Sequence, residues 1–215
     1  MASLYKSKIH FLHIGKTGGS ALKYVLGNFL NTQEYILELH HHNVSLKHIP
    51  EGEKVIFFLR DPISRFISGF YSRKRKGQPR YYSEWNQIET EVFNTFSTPN
   101  ELALALHNGN PLALKAMNNI QHFRRYNQWY IDLDYFYSRR NDILFIGFQE
   151  SLNEDFERLK SILGIENSIV LPDDNILVHK NPEGLDKRLT MQAYKTLEEW
   201  FMEDFEFVSL CRQMY

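Results

Sequence analysis

The residues best suited to chemistry lie near the start of the chain, in the segment Gly15-Lys16-Thr17-Gly18-Gly19-Ser20. The apolar run Ile9–Ile14 precedes it and is typical of a buried strand, and Ala21–Leu26 follows with helical spacing. In such a strand–loop–helix, the N–H groups of the loop and of the first helical turn point at one spot, where the helix dipole favours negative charge. The segment Gly15–Ala21 is therefore predicted to bind a phosphate group, and we call it the cradle. Lys16 supplies a positive charge, and the threonine and serine supply hydroxyl donors.

Two other interpretations of this segment remain open. The ATP- or GTP-binding pattern G-x-x-x-x-G-K-[ST] would need a glycine where the chain has His10, and the intervening residues would still lie in the strand. The dinucleotide pattern G-x-G-x-x-G fits no spacing of Gly15, Gly18 and Gly19. The alternatives are thus a nucleotide-dependent kinase with an unusual loop, and a turn that is rich in glycine for backbone reasons alone.

A second motif follows a second apolar strand, Lys54–Leu59, and reads Arg-Asp-Pro-x-x-Arg-x-x-Ser within Arg60–Tyr71. Together with HIGKTGGSAL, this order of motifs resembles the sulfotransferases that use 3′-phosphoadenosine 5′-phosphosulfate (PAPS). The resemblance is closest to the branch of the heparan sulfate and other carbohydrate sulfotransferases. It implies a P-loop-like strand–loop–helix that binds the phosphosulfate of this nucleotide.

The resemblance also implies particular binding residues. The cradle Gly15–Ala21 would hold the 5′-phosphosulfate, and Arg60 and Ser68 would hold the 3′-phosphate. A late loop in these enzymes closes over the nucleotide, which implies that His179, Lys180 and Asn181 reach its phosphates. A plain surface turn is the alternative for that late segment.

Three consecutive histidines, His40, His41 and His42, follow the predicted strand Glu34–Leu39. In the family, a histidine shortly before the Arg-Asp-Pro strand acts as base on the acceptor hydroxyl. The resemblance implies this catalytic role for His41 or His42 first and for His40 third. Neighbouring side chains on an extended chain point to opposite faces, so the three do not readily bind one metal ion, and no metal site is predicted. A solvent-exposed loop is the structural alternative.

The charges of the implied reaction give Lys16 a catalytic role as well. Transfer of a sulfuryl group is in line, so positioning and charge stabilisation dominate, as in phosphoryl transfer. Lys16 would neutralise the leaving-group oxygen, and a histidine with an unperturbed pKa of about 6.5 would take the hydroxyl proton. Because sulfuryl carries one negative charge fewer than phosphoryl, no Mg²⁺ is expected.

The predicted function is therefore a sulfotransferase that uses PAPS, releases adenosine 3′,5′-bisphosphate (PAP), and acts on a hydroxyl acceptor, expected on a carbohydrate. Besides the kinase, a non-catalytic PAP-binding protein is the alternative. The first residues show no apolar signal run, and no stretch approaches the roughly 20 apolar residues of a membrane span. We accordingly expect a cytoplasmic protein without a transmembrane segment, or a chain from which the membrane anchor of its relatives was removed.

Composition agrees with an enzyme of this kind. Lys and Arg number 25 against 26 Asp and Glu, so the basic excess typical of nucleic-acid binding is missing and no nucleic-acid partner is expected. The single cysteine excludes an internal disulfide and suits a reducing compartment.

Strands that alternate with helices predict one α/β domain over residues 1–215, with a central parallel sheet flanked by helices. Residues 73–140 are predicted to be a mostly helical insertion on the acceptor side. Its basic run Arg73–Lys76 is either a solvated helix end or a contact for an anionic or sugar acceptor. A further strand, Asp142–Phe148, leads into a helix for which Asn153 is the expected N-cap, and this helix should end near Gly164.

Overall fold

The computed structural model describes residues 6–174, 181–182 and 184–214, and the chain divides into two compact units. The sheet unit comprises Met1–Arg60, Tyr126–Val178 and Leu210–Tyr215, and the helical unit comprises Asp61–Arg125 and His179–Ser209. The stretch 73–140 is shared between the two units. Its assignment as an acceptor-side insertion in one domain stays a prediction.

The sheet unit is built on one parallel sheet. Its strands within the described residues are β1 (Ser7–Leu12), β2 (Tyr35–Leu39), β3 (Lys54–Leu59) and β4 (Ile143–Phe148). They lie in the order β2-β1-β3-β4 with every neighbouring pair parallel, which confirms the predicted α/β architecture. β1 ends at Leu12, two residues earlier than predicted, so His13 and Ile14 belong to the loop that follows.

Helices fill the rest of both units. The described residues form the α-helices α1 (Gly19–Leu26), α2 (Pro62–Lys74), α3 (Gln87–Thr95), α4 (Pro99–His107), α5 (Pro111–Asn119), α6 (Asn127–Tyr130), α7 (Leu133–Ser138), α8 (Leu152–Leu163), α9 (Met191–Trp200) and α10 (Met202–Met214). Within these residues, none of the helices combines the length and the apolar character that crossing a membrane requires.

The sheet is covered on both faces, as the apolar sequence of β3 requires. On one face, Ile56 and Phe58 pack with apolar side chains of α1 and α8. On the other face, the ring of Phe57 meets that of Phe136 in α7, with the centroids 6.3 Å apart. Because alternate side chains of a strand point to opposite faces, this one strand joins both layers.

The helical unit has a core of its own. Phe66 of α2 lies at its centre, with ring centroids 5.1 Å from Phe123 and 6.1 Å from Phe201. The start of α2 follows from its sequence: Pro62 occupies the first turn, and the Asp61 carboxylate accepts a 2.7 Å hydrogen bond from the Ser64 N–H.

The start of α8 differs from the prediction. Asn153 is not its N-cap, because the helix begins at Leu152 after a 3-10 turn. The cause is Asp155, whose buried carboxylate accepts from the Phe148 N–H at 2.7 Å and from the Ser151 hydroxyl at 2.8 Å, and so ties the first turn to the end of β4. The other end is as predicted, with Gly164 in the left-handed region at φ 64°.

Candidate functional site

The predicted cradle is the loop between β1 and α1. Two of its residues, Lys16 at φ 70° and Gly18 at φ 87°, adopt left-handed backbone conformations. Such residues curl a loop so that successive N–H groups converge into an anion-binding nest. Gly18 is also the N-cap of α1, and the first N–H groups of a helix have no partner inside it. The backbone therefore has the form that the sequence predicts for binding an anionic group.

Two side chains pack closely on the loop and explain its glycines. A Cβ atom on Gly19 would lie 2.3 Å from Cδ2 of His13, and one on Gly18 would lie 3.0 Å from a methyl group of Leu152. Only glycine allows these approaches. His13 is thereby held directly against the start of α1.

The two hydroxyl residues of the cradle differ in their surroundings. The Thr17 side chain is buried, and its hydroxyl donates to the carbonyl oxygen of Ile14 at 2.9 Å. This bond closes the loop on itself, and the role of Thr17 in anion binding stays a prediction. Ser20, half-buried in the first turn of α1, and the buried Ala21 stay predicted binding residues.

Arg60 lies immediately after β3 and next to the cradle. One of its guanidinium nitrogens donates to the carbonyl oxygen of Lys16 at 3.3 Å. Its main chain is fixed by the buried Tyr126, whose hydroxyl accepts from the Arg60 N–H at 3.0 Å and donates to the Arg60 carbonyl at 2.7 Å. The sequence analysis gave Tyr126 no role, since nothing local marks this contact.

The strand order explains why the cradle and Arg60 meet. The chain leaves β1 for a neighbour on one side and later adds β3 on the other side, so β1 and β3 flank a topological switch point. In open α/β sheets, ligands bind outside the carboxyl ends of the strands at such a point. The loops after these two strands are the cradle and the segment that begins with Arg60.

The three consecutive histidines have three different environments. His41 is exposed. The His40 ring points at His10 of β1, with Nε2 of His40 2.8 Å from Nδ1 of His10. The half-buried His42 has its Nδ1 2.9 Å from the carbonyl oxygen of His13. His10 and His13, which the sequence analysis left without a role in the first strand, thus both belong to this histidine cluster.

The His42 ring is the one placed at the cradle. Its centroid lies 3.9 Å from that of His13, the ring that packs on Gly19. Burial is the largest influence on the pKa of His42 and lowers it; the bond to the His13 carbonyl opposes this effect, and the charges of Lys23 and Lys16 lower the pKa further. The neutral imidazole is therefore favoured at neutral pH.

Two residues that sequence reasoning missed hold the histidine segment in place. Lys23, one turn into α1, donates through Nζ to the carbonyl oxygen of His40 at 3.0 Å. Trp129 of α6 donates through Nε1 to the carbonyl oxygen of His42 at 3.0 Å. The position of Lys23 one turn after Ser20 is a weak signal for the first contact, and no local signal exists for the second.

In the helical unit, two of the predicted binding residues are brought together. The Asn181 side-chain amide donates to the carbonyl oxygen of Ser68 at 3.4 Å, and Arg75 donates to Oδ1 of Asn181 at 2.7 Å. The roles of Ser68 and Asn181 in nucleotide binding stay predictions. The predictions for His179 and Lys180 lie outside the described residues.

The basic run of α2 makes contacts within the helical unit. Arg73 is buried and forms two hydrogen bonds, of 2.6 and 2.8 Å, with the carboxylate of Glu89. The Lys76 ammonium lies 2.7 Å from a carboxylate oxygen of Glu84 and 4.9 Å from the centroid of the Trp85 ring. Arg73 and Lys76 thus each pair with a nearby carboxylate, and a role of the basic run in acceptor binding stays a prediction.

One group of side chains in the described residues has donor atoms close enough to suggest a metal site. Those of His10, Glu38 and His40 all lie within 4.8 Å of one another. The two imidazole nitrogens are only 2.8 Å apart, which is a hydrogen-bonding distance. Two nitrogens bonded to a tetrahedral zinc ion stand about 3.3 Å apart, given bonds of about 2.0 Å. The geometry therefore fits a shared proton better than a shared metal ion.

The chain matches the model of the sulfotransferase family over residues 4–207, so it belongs to that family. The match confirms the predicted class of enzyme, a transferase that moves sulfuryl groups from a nucleotide sulfate donor to a hydroxyl acceptor. A search of curated protein sequences found no match. The heparan sulfate branch stays a prediction.

Proposed function

We propose that the protein transfers the sulfuryl group of PAPS to a hydroxyl group of a carbohydrate, with His42 as the general base. The observation that carries this proposal is the orientation of the His42 ring. A carbonyl oxygen can only accept, so the 2.9 Å contact to His13 requires the proton of a neutral His42 to sit on Nδ1. The lone pair is then on Nε2, in a ring that lies beside the cradle.

His42 is preferred over the other two histidines for physical reasons. His41 is exposed and has no described contact that would orient its ring toward the cradle. The His40 ring is directed at His10 within the sheet, whereas the His42 ring lies against His13, which packs on the cradle. Burial and the charges of Lys16 and Lys23 keep His42 neutral, and only the neutral ring can accept a proton.

The proposed step breaks two bonds and forms two. The acceptor oxygen attacks sulfur while its proton passes to Nε2 of His42. The bond from sulfur to the bridging oxygen breaks, and its electron pair stays on the phosphate of PAP. Lys16 stabilises the charge that develops on this oxygen, and the backbone N–H groups of the cradle hold the 5′-phosphosulfate. Arg60 binds the 3′-phosphate through a charge-assisted hydrogen bond.

Ser68 and Asn181 are proposed to take part in nucleotide binding, as the family resemblance implies. Their mutual hydrogen bond supports a common role, because it joins two positions that are far apart in the sequence. Arg75, which binds Asn181, would keep that side chain in one orientation.

Heat denaturation in the presence of nucleotides tests the donor. PAP should raise Tm by much more than AMP or ADP at equal concentration, because the latter two lack the 3′-phosphate. Stabilisation by a bound ligand grows as RT ln(1 + [L]/Kd), or about 2.7 kcal/mol at a hundredfold excess over Kd. Equal shifts of Tm with AMP and PAP would contradict the assignment of PAPS as the sulfuryl donor.

Turnover tests the reaction itself. The protein should transfer labelled sulfuryl from PAPS to at least one member of a panel of sugar acceptors. A protein that binds PAP but transfers to no sugar, phenol or alcohol acceptor would be a binding protein. Transfer from ATP with Mg²⁺ instead would identify a kinase.

A further inference from the structure

Three side chains form a continuous hydrogen-bonded chain along one face of the sheet. Nε2 of His10 lies 2.6 Å from Oε2 of Glu53, and Nδ1 of the same ring lies 2.8 Å from Nε2 of His40. The His10 side chain is 3% exposed, whereas that of Glu53 is 26% exposed. The chain thus leads from a carboxylate before β3, through a buried ring of β1, to the residue that follows β2.

The two rings meet end to end. Their planes are within 9° of each other, and their centroids are 5.1 Å apart. This separation equals the 2.8 Å nitrogen distance plus one ring radius at each end, so both nitrogens lie on the line between the centroids. Their lone-pair directions therefore point at each other, which is the geometry of a linear N–H···N hydrogen bond.

The carboxylate fixes where the protons sit. An ionised Glu53 can only accept, so the proton of a neutral His10 is on Nε2 and its lone pair is on Nδ1. His40 must then donate its Nε2–H to His10, which leaves Nδ1 as the basic nitrogen of His40. A proton taken up there makes a positive ring whose charge is shared through His10 with Glu53.

Other charges face this chain. Glu38 of β2 has a carboxylate oxygen 3.5 Å from Nδ1 of His10. The Lys8 ammonium lies 3.6 Å from Glu38 and 3.8 Å from Glu53, and so partly offsets the charge of both carboxylates. The two carboxylates favour a positive charge on the chain, whereas burial and the lysine oppose it.

His40 itself is held by its backbone as well as by its ring. Its N–H donates to the carbonyl oxygen of Phe11 at 3.1 Å, and its carbonyl accepts from Lys23 at 3.0 Å. Burial is the largest influence and lowers the pKa of both His40 and His42; the nearby His10 lowers that of His40, and the charge of this same lysine lowers both further. Both rings are thus within reach of one ammonium group at the carboxyl edge of the sheet.

We propose that Glu53 and His10 are positioning residues that hold His40 as a second proton acceptor in the sulfuryl transfer proposed above, on which this inference rests. Each turnover releases one proton from the acceptor hydroxyl, and His42 must lose that proton before the next. Nδ1 of His40 receives it, and the charge is shared along His10 and Glu53 until the proton passes to water. His40 then relays the proton that His42 releases, and Glu53 and His10 act through it.

Nuclear magnetic resonance of the ¹⁵N-labelled protein tests the arrangement without any substrate. We expect a scalar coupling between Nδ1 of His10 and Nε2 of His40, and a chemical shift for Nδ1 of His40 that marks an unprotonated nitrogen. A protonated Nδ1 on neutral His40, or no coupling, would overturn the inference. So would stoichiometric binding of Zn²⁺ that abolishes the coupling, because the same two nitrogens would then be metal ligands.

The Glu53→Gln variant tests the effect on the reaction. It keeps the size of the side chain and an oxygen that can accept from His10, but it removes the charge. We expect kcat to fall about tenfold, which is less than the roughly 10²-fold or greater loss expected when the base itself is removed. The KM for PAPS should be unchanged, and the acid limb of the pH profile of kcat should be displaced. Glu51→Gln, the same change at an exposed position two residues earlier, is the matched control and should leave all three quantities unchanged.

Failure of this inference and failure of the proposed function give different results. Suppose that the protein transfers sulfuryl groups but the variants at Glu53 and Glu51 have the same kinetics and the same pH profile. This result would overturn the role of the hydrogen-bonded chain and leave the proposed function in place. A wild-type protein that transfers no sulfuryl group would contradict the proposed function, and the proton-accepting role of His40 with it. His10→Asn, if it folds, should abolish the coupling and lower kcat at least as much as Glu53→Gln.

Discussion

At the scale of single residues, the histidine segment shows how three identical side chains acquire three different chemistries. His41 is exposed, His40 shares a hydrogen bond with the neighbouring ring of His10, and His42 is oriented by a backbone carbonyl. An imidazole becomes a competent base when one nitrogen is fixed as donor and the other keeps its lone pair near the reacting group. Only His42 combines that fixed tautomer with a place beside the cradle.

The first prediction compares two adjacent histidines. His42→Ala should lower kcat by about 10²–10⁴-fold, because a positioned base contributes that much, while PAP still binds. His41→Ala is the matched control, and its turnover should stay close to that of the wild type. Sulfuryl transfer and calorimetric PAP binding measure the two effects. If His42→Ala kept normal turnover, another residue would have to be the base.

The pH dependence of the wild type gives an independent check on the same residue. Burial, followed by the charges of Lys23 and Lys16, lowers the pKa of His42 from its ordinary value of 6.5. The neutral form that accepts protons therefore persists below pH 6.5. The acid limb of kcat/KM, which reports groups of the free enzyme, should lie below that value, and a limb above it would contradict the assignment.

The second prediction concerns Arg60. Its main-chain bonds to Tyr126 survive truncation of the side chain, so Arg60→Ala should fold. The variant should bind PAP about 10- to 150-fold more weakly, which corresponds to the loss of a charged hydrogen bond worth roughly 1.5–3 kcal/mol. Arg140→Ala, at an exposed position of the same unit, should bind PAP like the wild type. Unchanged PAP affinity in Arg60→Ala calorimetry would place the 3′-phosphate elsewhere.

At the scale of elements, the strand–loop–helix at the start of the chain is the unit that organises the site. The loop takes its shape from left-handed residues and from the bond between Thr17 and Ile14. The same loop is the surface on which His13 packs, and His13 in turn orients His42. The cradle and the histidine segment are therefore mechanically joined, and a change in the loop should affect both.

The third prediction tests this connection with two glycines. Gly19→Ala would place a Cβ atom 2.3 Å from the His13 ring, so the ring and its neighbour His42 must move. A displacement of about 1 Å can lower a rate on the order of 10²-fold, and we expect a loss of kcat of that size.

Gly164→Ala is the control, because it strains the backbone without contacting another side chain. Gly164 ends α8 at φ 64°, and a Cβ atom added there would meet no other atom within 4 Å. The left-handed backbone is then the only source of strain, and the change should cost about 1–2 kcal/mol of folding free energy. Tm should fall by a few degrees while kcat stays the same. If Gly19→Ala also lowered only Tm, the connection between the loop and the histidines would not be functional.

At the scale of the whole molecule, two cores of similar character stabilise the chain. The sheet unit is built around β3, and the helical unit around the aromatic side chains of α2. The single cysteine, Cys211, lies fully buried in α10, and burial raises the pKa of its thiol well above the usual range. A thiol in that state neither ionises near neutral pH nor meets solvent.

The fourth prediction uses this thiol as a reporter of unfolding. Because the thiolate is the reactive species, the native protein should react very slowly with a disulfide reagent near neutral pH. One equivalent should react at once in denaturant. PAP should slow the native reaction further, because ligand binding lowers the population of open states. Rapid stoichiometric labelling of the native protein would show that α10 opens readily.

The sequence alone determined those features that depend on local order. The alternation of apolar runs and helical stretches identified all four strands of the sheet, and β3 has the predicted bounds. The cradle was predicted from a glycine-rich turn after a strand, and Arg60 from the family resemblance of the motif that follows β3; both binding roles stay predictions. Parallel strands then bring both to the same edge of the sheet.

The tertiary structure decided which partner each side chain has. The pairing of β1 with β2 brings His10 to His40 and His13 to His42, and no spacing in the sequence contains that register. The cap of α8 was predicted wrongly for the same reason, since the start of that helix depends on the bonds of the Asp155 carboxylate. Hydrogen bonds between distant residues depend on packing, and packing is settled only when the whole chain has folded.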